Sequence, residues 1–151
     1  MTRSKITILA VSLLVLFSCS KTDPIPDPTP CPIPPTKLQI LTQKTWQVDE
    51  IHRNVSGVNS KYIKGGVNTT GANYDVWRLT FNANGTGTHV YTNGVSYPTT
   101  WNFTGTDQQN MVLTSNGQTL NFNMVEINET YFYATSPVNN ILESFRLKQV
   151  P

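Results

Sequence analysis

Few side chains in this chain are of a type and spacing that could do chemistry. The only thiols are Cys19 and Cys31, twelve positions apart. His52 and His89 are the only histidines, and they fall on different predicted strands. Neither has a cysteine or carboxylate at metal-ligand spacing, so each is read as a surface or strand-end residue. The acidic residues, among them Asp75, Glu126, Glu129 and Glu143, are scattered. A carboxylate pair able to cleave a glycosidic bond would have to be assembled entirely by folding. Gly65-Gly66 runs on into Val67, Asn68 and Thr69 rather than into a helix, which removes a phosphate cradle. No Gly-x-Ser-x-Gly elbow occurs. The expectation is therefore a protein that is not an enzyme and uses neither cofactor nor metal.

Cys19 has the one chemically suggestive setting. Arg3 and Lys5 form a basic n-region, Ile6 to Phe17 an apolar run of signal-sequence length, and the small residue Ser18 precedes the cysteine. The run is too short to span a bilayer. Leu16-Phe17-Ser18-Cys19 resembles the lipobox of bacterial lipoproteins. That resemblance implies a signal peptide over residues 1–18, and acylation (a diacylglyceryl group and further chains such as palmitate) on Cys19 as the mature N-terminus. Each buried CH₂ contributes about 0.8 kcal/mol, so several chains on one residue hold the protein to a membrane almost permanently. Ser20, rather than Asp, after the cysteine resembles lipoproteins sorted to the outer membrane. The expected location is the cell envelope, lipid-anchored in the outer membrane and facing the periplasm or the cell surface.

Removing the signal changes the charge balance. The whole chain carries eleven basic and nine acidic residues. Without Arg3 and Lys5, nine of each remain, so no basic footprint is left for nucleic acid. Residues 19–36 form a linker holding seven of the ten prolines, Pro24 to Pro35. At about 3.1 Å per residue in a polyproline conformation, it reaches up to roughly 50 Å from the lipid anchor. With Cys19 acylated, Cys31 has no intramolecular partner and is a free thiol or an intermolecular bridge.

Residues 37–151 are expected to form one all-β domain. Asn84-Gly85, Asn93-Gly94 and Asn116-Gly117 each lie between runs rich in β-branched and aromatic residues, a strong hairpin signal. Alternation over Tyr74 to Phe81 puts Trp77, Leu79 and Phe81 on one face. Over Gln118 to Met124 it puts Leu120, Phe122 and Met124 together. Further strands are expected at Thr45 to Ile51, Gly87 to Thr92, Tyr97 to Phe103, Met111 to Thr114, Tyr131 to Thr135 and Leu142 to Gln149. Pro98 should mark a strand start, an edge or a bulge. Lys37 to Lys44 forms one helical turn or a lead-in. Asn54 to Asn73, rich in Gly, Asn, Thr and Ser, reads as an extended loop anchored by Tyr62 and Ile63, with a short strand around Lys61 to Lys64. The short strands with tight turns fit an antiparallel meander, closed as a barrel or folded as a β-sandwich.

The order of motifs carries a resemblance. Trp46 opens the first strand, Leu79-Thr80-Phe81-Asn82-Ala83-Asn84-Gly85-Thr86 forms a later hairpin, Trp101 and Phe103 follow, and Phe145-Arg146-Leu147 closes the chain. This resembles the small lipocalin-like domains of bacterial lipoproteins. The resemblance implies an up-and-down barrel of about eight strands whose interior could hold a small apolar or amphipathic ligand. It also implies stacking of Trp46 and Arg146 at a closed end. The candidate ligand-binding residues are then Tyr62, Trp77, Phe81, Trp101, Phe103 and Phe122. With Phe145, these inward aromatics could equally fill the barrel as its core. Two functions follow from the sequence. One is a membrane-tethered module binding a small apolar or amphipathic ligand at the barrel mouth beside the 54–73 loop. The other is a ligand-free module that meets an envelope protein or a glycan through exposed aromatics such as Tyr62, Tyr91 and Tyr97.

Overall fold

The structure is a computed structural model that describes residues 33–138 and 141–150. The expected signal peptide, Cys19, Cys31 and the expected linker as far as Pro32 lie outside the described residues.

The domain opens with a short helix α1, Lys37–Thr42, whose start is fixed by a capping box. The Thr36 hydroxyl accepts from the Gln39 amide, while the Gln39 side chain accepts from the Thr36 amide. Nine strands follow: β1 Thr45–Val55, β2 Val58–Ile63, β3 Arg78–Phe81, β4 Thr86–Val90, β5 Ser96–Thr104, β6 Asn110–Ser115, β7 Gln118–Ile127, β8 Tyr131–Val138 and β9 Ile141–Val150. All pair antiparallel, in the order β2-β1-β3-β4-β5-β6-β7-β8-β9, and β1 also pairs with β9. The fold is thus a closed eight-strand barrel plus one extra strand, β2, rather than a sandwich. Closure removes the sheet edges that an open meander would leave.

β1 makes the closure possible because it is long enough to serve three partners. It lies along β9 from Thr45↔Val150 to Val55↔Ile141. On its other side Thr45–Gln47 meet β3, while Glu50–Val55 meet β2. The register shift between Val48 and Glu50 is a bulge, and it is where β1 leaves one neighbour for the other.

Several expectations need correction. The stretch expected as one long loop from Asn54 to Asn73 begins as a hairpin. Ser56 and Gly57 both take positive φ (50° and 86°), the mirror-image turn that matches strand twist. The strand expected over Tyr74 to Phe81 is confined to Arg78–Phe81. Pro98 lies inside β5, opposite Thr88 but one residue before β5 meets β6, so its missing N–H costs no ladder bond on the β6 side. In β7 the alternation breaks between Asn123 and Glu126. Phe122 and Val125 are buried, and Met124 turns outward with φ 53°.

Inward residues of every barrel strand except β4 form one hydrophobic core. Trp46, Val48, Ile51, Leu79, Phe81, Leu113, Phe122, Phe132 and Leu147 are its most buried members, and α1 adds Ile40 and Leu41 at one end. The Trp46 indole donates to the Leu41 carbonyl (2.9 Å) and packs edge-on against Phe132. Arg146 is not its stacking partner. Alternation turns Arg146 to the outer face, where it pairs with Asp49 and Glu50.

Candidate functional site

The aromatics expected around a ligand instead meet one another. Phe81 lies 5.3 Å from Trp101 and 6.3 Å from Phe132 between ring centroids, Trp101 lies 5.6 Å from Phe103, and Phe122 lies 6.0 Å from Phe132. Phe145 joins Phe122 at 5.8 Å and Trp77 at 6.2 Å. Most contacts are edge-to-face, the geometry ring quadrupoles favour. Tyr62 stands apart from them. It is buried against Tyr74 and donates its hydroxyl to Asp75 (2.5 Å), which ties the segment after β2 down. Burial and the neighbouring Asp75 carboxylate push its hydroxyl pKa above the ordinary tyrosine value.

The end of the barrel opposite α1 is lined differently. Inward positions there carry His89 on β4, Thr99 on β5, Ser115 on β6 and Ser136 on β8, all buried. Their side-chain polar atoms have no hydrogen-bond partner among the described residues. Glu143 of β9 and Arg53 of β1, register partners at the same level, form an ion pair, and Arg53 also donates to the Tyr74 hydroxyl (3.1 Å). His89, read as a surface or strand-end residue, does lie one residue from the end of β4, but it is only 2 % exposed because it shares β4's inner face with Gly87. It stacks on Tyr91 (4.0 Å) and meets Trp77 edge-on (4.8 Å). Burial lowers its pKa to about 4, so its imidazole is neutral at pH 7. Tyr91 and Tyr97 pair edge-to-face beside it.

The most spacious cavity described, about 450 Å³ and half open to solvent, lies on the outer face of the barrel. β1 contributes His52 and Asn54, and the extra strand β2 contributes Asn59 and Ser60. β8 supplies Tyr133 and Thr135, β9 supplies Leu142 and Ser144, and Met124 of the β7 bulge forms one wall. A smaller recess of about 230 Å³ continues it along Glu50, His52, Tyr133, Ser144 and Arg146. The main cavity's volume of about 450 Å³ falls within the ordinary range of ligand clefts. A barrel's outer face is normally convex. Here the β1–β2 hairpin and the outward Met124 raise its two borders.

Both borders carry backbone that is less than comfortable. Met124 holds a left-handed φ where glycine or asparagine would be easier, and its side chain is 59 % exposed. Leu142, nearby, is 57 % exposed. Such conformations cost on the order of 1–3 kcal/mol and concentrate at binding sites. The charges that line the groove are paired, while exposed Lys61 and Glu126 outside its lining make no ion pair among the described residues. Arg146 pairs with Asp49 (2.8 Å) and Glu50 (2.5 Å), Lys148 with Asp49 (3.0 Å), His52 with Glu50 (2.6 Å) and Arg53 with Glu143. Burial raises the Asp49 pKa, but hydrogen bonds and charge from Lys148 and Arg146 outweigh it and hold the carboxyl below its ordinary value.

None of the groove residues was among the six candidate side chains named from the sequence, although Asn54, Asn59 and Ser60 fall within the 54–73 stretch expected beside the ligand. The available signals were Ser56-Gly57 as a hairpin turn, and large apolar side chains at outward positions, Tyr133 on β8 and Leu142 on β9. Among the described residues no group of three or more His, Cys, Asp or Glu side chains gathers as a metal site, and no helix is long and apolar enough to cross a membrane. No protein-family model matches the chain, and searches of curated proteins and of solved structures return no match either.

Proposed function

We propose that this chain is a lipid-anchored lipoprotein of the bacterial cell envelope whose lipocalin-like barrel binds a small amphipathic molecule in the outer-face groove. The observation that carries the reading is the groove itself, where Met124, Leu142 and Tyr133 offer apolar surface beside amides and hydroxyls. The tightly packed aromatic interior argues against the barrel axis as the ligand's place and for a core that supports the groove from behind. The lipobox-like Cys19 and the proline spacer supply the tether, with the outer membrane as its destination. Binding is favoured over catalysis because the charges that line the groove are already paired with each other.

Native mass spectrometry of the full chain, extracted from its own envelope, tests this reading. A small molecule of any class should co-purify and be lost in Met124→Glu, which places a charge on the groove wall. A clean apo mass for the unaltered chain, or a ligand retained unchanged by Met124→Glu, overturns it.

A further inference from the structure

We infer that the groove's ligand is a neutral saccharide, one sugar ring lying against Tyr133 with Met124 and Leu142 beside it. This rests on the binding-module reading above and narrows its ligand to one chemical class.

Charge argues first. A phosphate, carboxylate or sulfated ligand needs an uncommitted cation, and an ammonium ligand needs an uncommitted carboxylate. Arg53 and Arg146, the cations that line the groove and its continuation, each face an acidic partner, and so does Lys148. Asp49, Glu50 and Glu143 are those same partners. Lys61 opposite His52 and Glu126 opposite Tyr133 are exposed, make no ion pair among the described residues and stand outside both linings. An ionic ligand seated on the groove floor would break one of these lining pairs and leave one charge unmatched, whereas a neutral ligand leaves every such pair intact.

The hydrogen-bonding inventory argues second. Asn54 is held by Asn59 and by the Gly57 amide, and Thr135 by the Asn123 carbonyl. The Asn59 side-chain N–H₂ and the hydroxyls of Ser60, Tyr133 and Ser144 have no partner among the described residues. The hydroxyls both donate and accept and the amide N–H₂ donates, which suits the vicinal hydroxyls of a sugar. An aliphatic chain would leave them unmatched on desolvation.

Shape argues third. Tyr133 projects from the outer face of β8 between the raised hairpin and the Met124 wall. An aromatic ring with a thioether and a branched alkyl group alongside offers a flat apolar seat for the C–H face of a pyranose. A fatty chain would gain from the same apolar atoms, but its gain would not depend on the amide and hydroxyls.

The test is titration of isotope-labelled full chain, held in a sugar-free detergent, with three probes. These are neutral di- to tetrasaccharides of glucose, galactose and N-acetylglucosamine; oligomers of galacturonate; and decanol. The expected result is millimolar or tighter binding of a neutral saccharide, with amide shifts centred on Tyr133, Ser144 and Asn59. Tyr133→Ala should weaken that binding about tenfold, a loss of roughly 1.4 kcal/mol. Asn59→Ala and Ser144→Ala should weaken it without altering the far end of the barrel, which guards against a folding defect in the tyrosine variant. Galacturonate binding as tight as that of neutral sugars, shifts confined to another surface, or no saccharide binding overturns the inference. Decanol binding alone, at the same residues, overturns the saccharide while leaving the amphipathic-ligand reading standing.

Discussion

His89 shows how one buried residue sets a pH limit for the whole domain. Its imidazole has no partner among the described residues and is pressed between Tyr91 and Trp77, so protonation inside the barrel is disfavoured. In the unfolded chain it titrates near its ordinary value of 6.5, against about 4 when folded. Between those values the unfolded state binds more protons, so stability is fullest above about pH 6.5, declines as pH falls towards 4, and levels off below. The loss is expected to be about 3 kcal/mol. Urea midpoints measured across that range should show the decline, and His89→Leu should remove its slope; an unchanged slope would contradict the buried, neutral histidine. Asp49 acts in a separate window. Its lowered pKa contributes stability that is present above its ordinary value of 3.8 and lost as pH falls further.

Two elements depend on single backbone positions. β4 crosses β3 so closely at Gly87 that a Cβ there would meet the Thr80 carbonyl oxygen at 2.2 Å and the Thr99 hydroxyl at 2.9 Å. Backbone cannot yield as a flexible side chain can, so Gly87→Ala should destabilise the domain by about 2–3 kcal/mol. Hydrogen-exchange protection should fall first in β3 and β4. At α1, Thr36→Ala removes one half of the capping box and should cost about 1 kcal/mol in chemical denaturation. The loss should be small, because Ile40, Leu41 and the Trp46 indole still hold the helix against the barrel. β2 was only partly legible. A strand near Lys61 was expected, but its start at Val58 follows from the turn at Ser56-Gly57, whose residue types are weaker signals than Asn-Gly.

For the molecule as a whole, stability comes from the barrel core, and the proposed placement from a different part of the chain. Phe132 contacts the rings of Trp46, Phe81 and Phe122, linking β1, β3, β7 and β8. Phe132→Ala should cost about 3–5 kcal/mol, much of the total for a domain of this size. A large drop in thermal midpoint together with loss of near-ultraviolet aromatic ellipticity would verify this. In the proposed reading, placement rests on Cys19. Cys19→Ser should move the protein from the detergent-extracted membrane fraction to an unacylated form, with an intact-mass difference equal to the missing lipid. Membrane retention of the serine variant would remove the anchor from the proposal.

The sequence by itself determined the all-β class, most strand positions, the inward aromatics and the helical lead-in, because these depend on near neighbours. Alternation places Trp77, Leu79 and Phe81 together wherever the strand lies. Asn116 and Gly117 both take the positive φ of a hairpin turn for local steric reasons. Closure was not a local matter. β1 and β9 pair across nearly the whole domain, and only the summed twist and register of the intervening strands bring Thr45 to Val150. The groove is less local still. A single extra residue in β7 turned Met124 from the expected inner face to the outer one, since side-chain direction has a period of two and a bulge inverts everything beyond it. The hairpin from β1 then faces it across β8 and β9. Only the tertiary structure decided that, by bringing distant outward residues to one concavity while the aromatics expected to bind a ligand packed against one another.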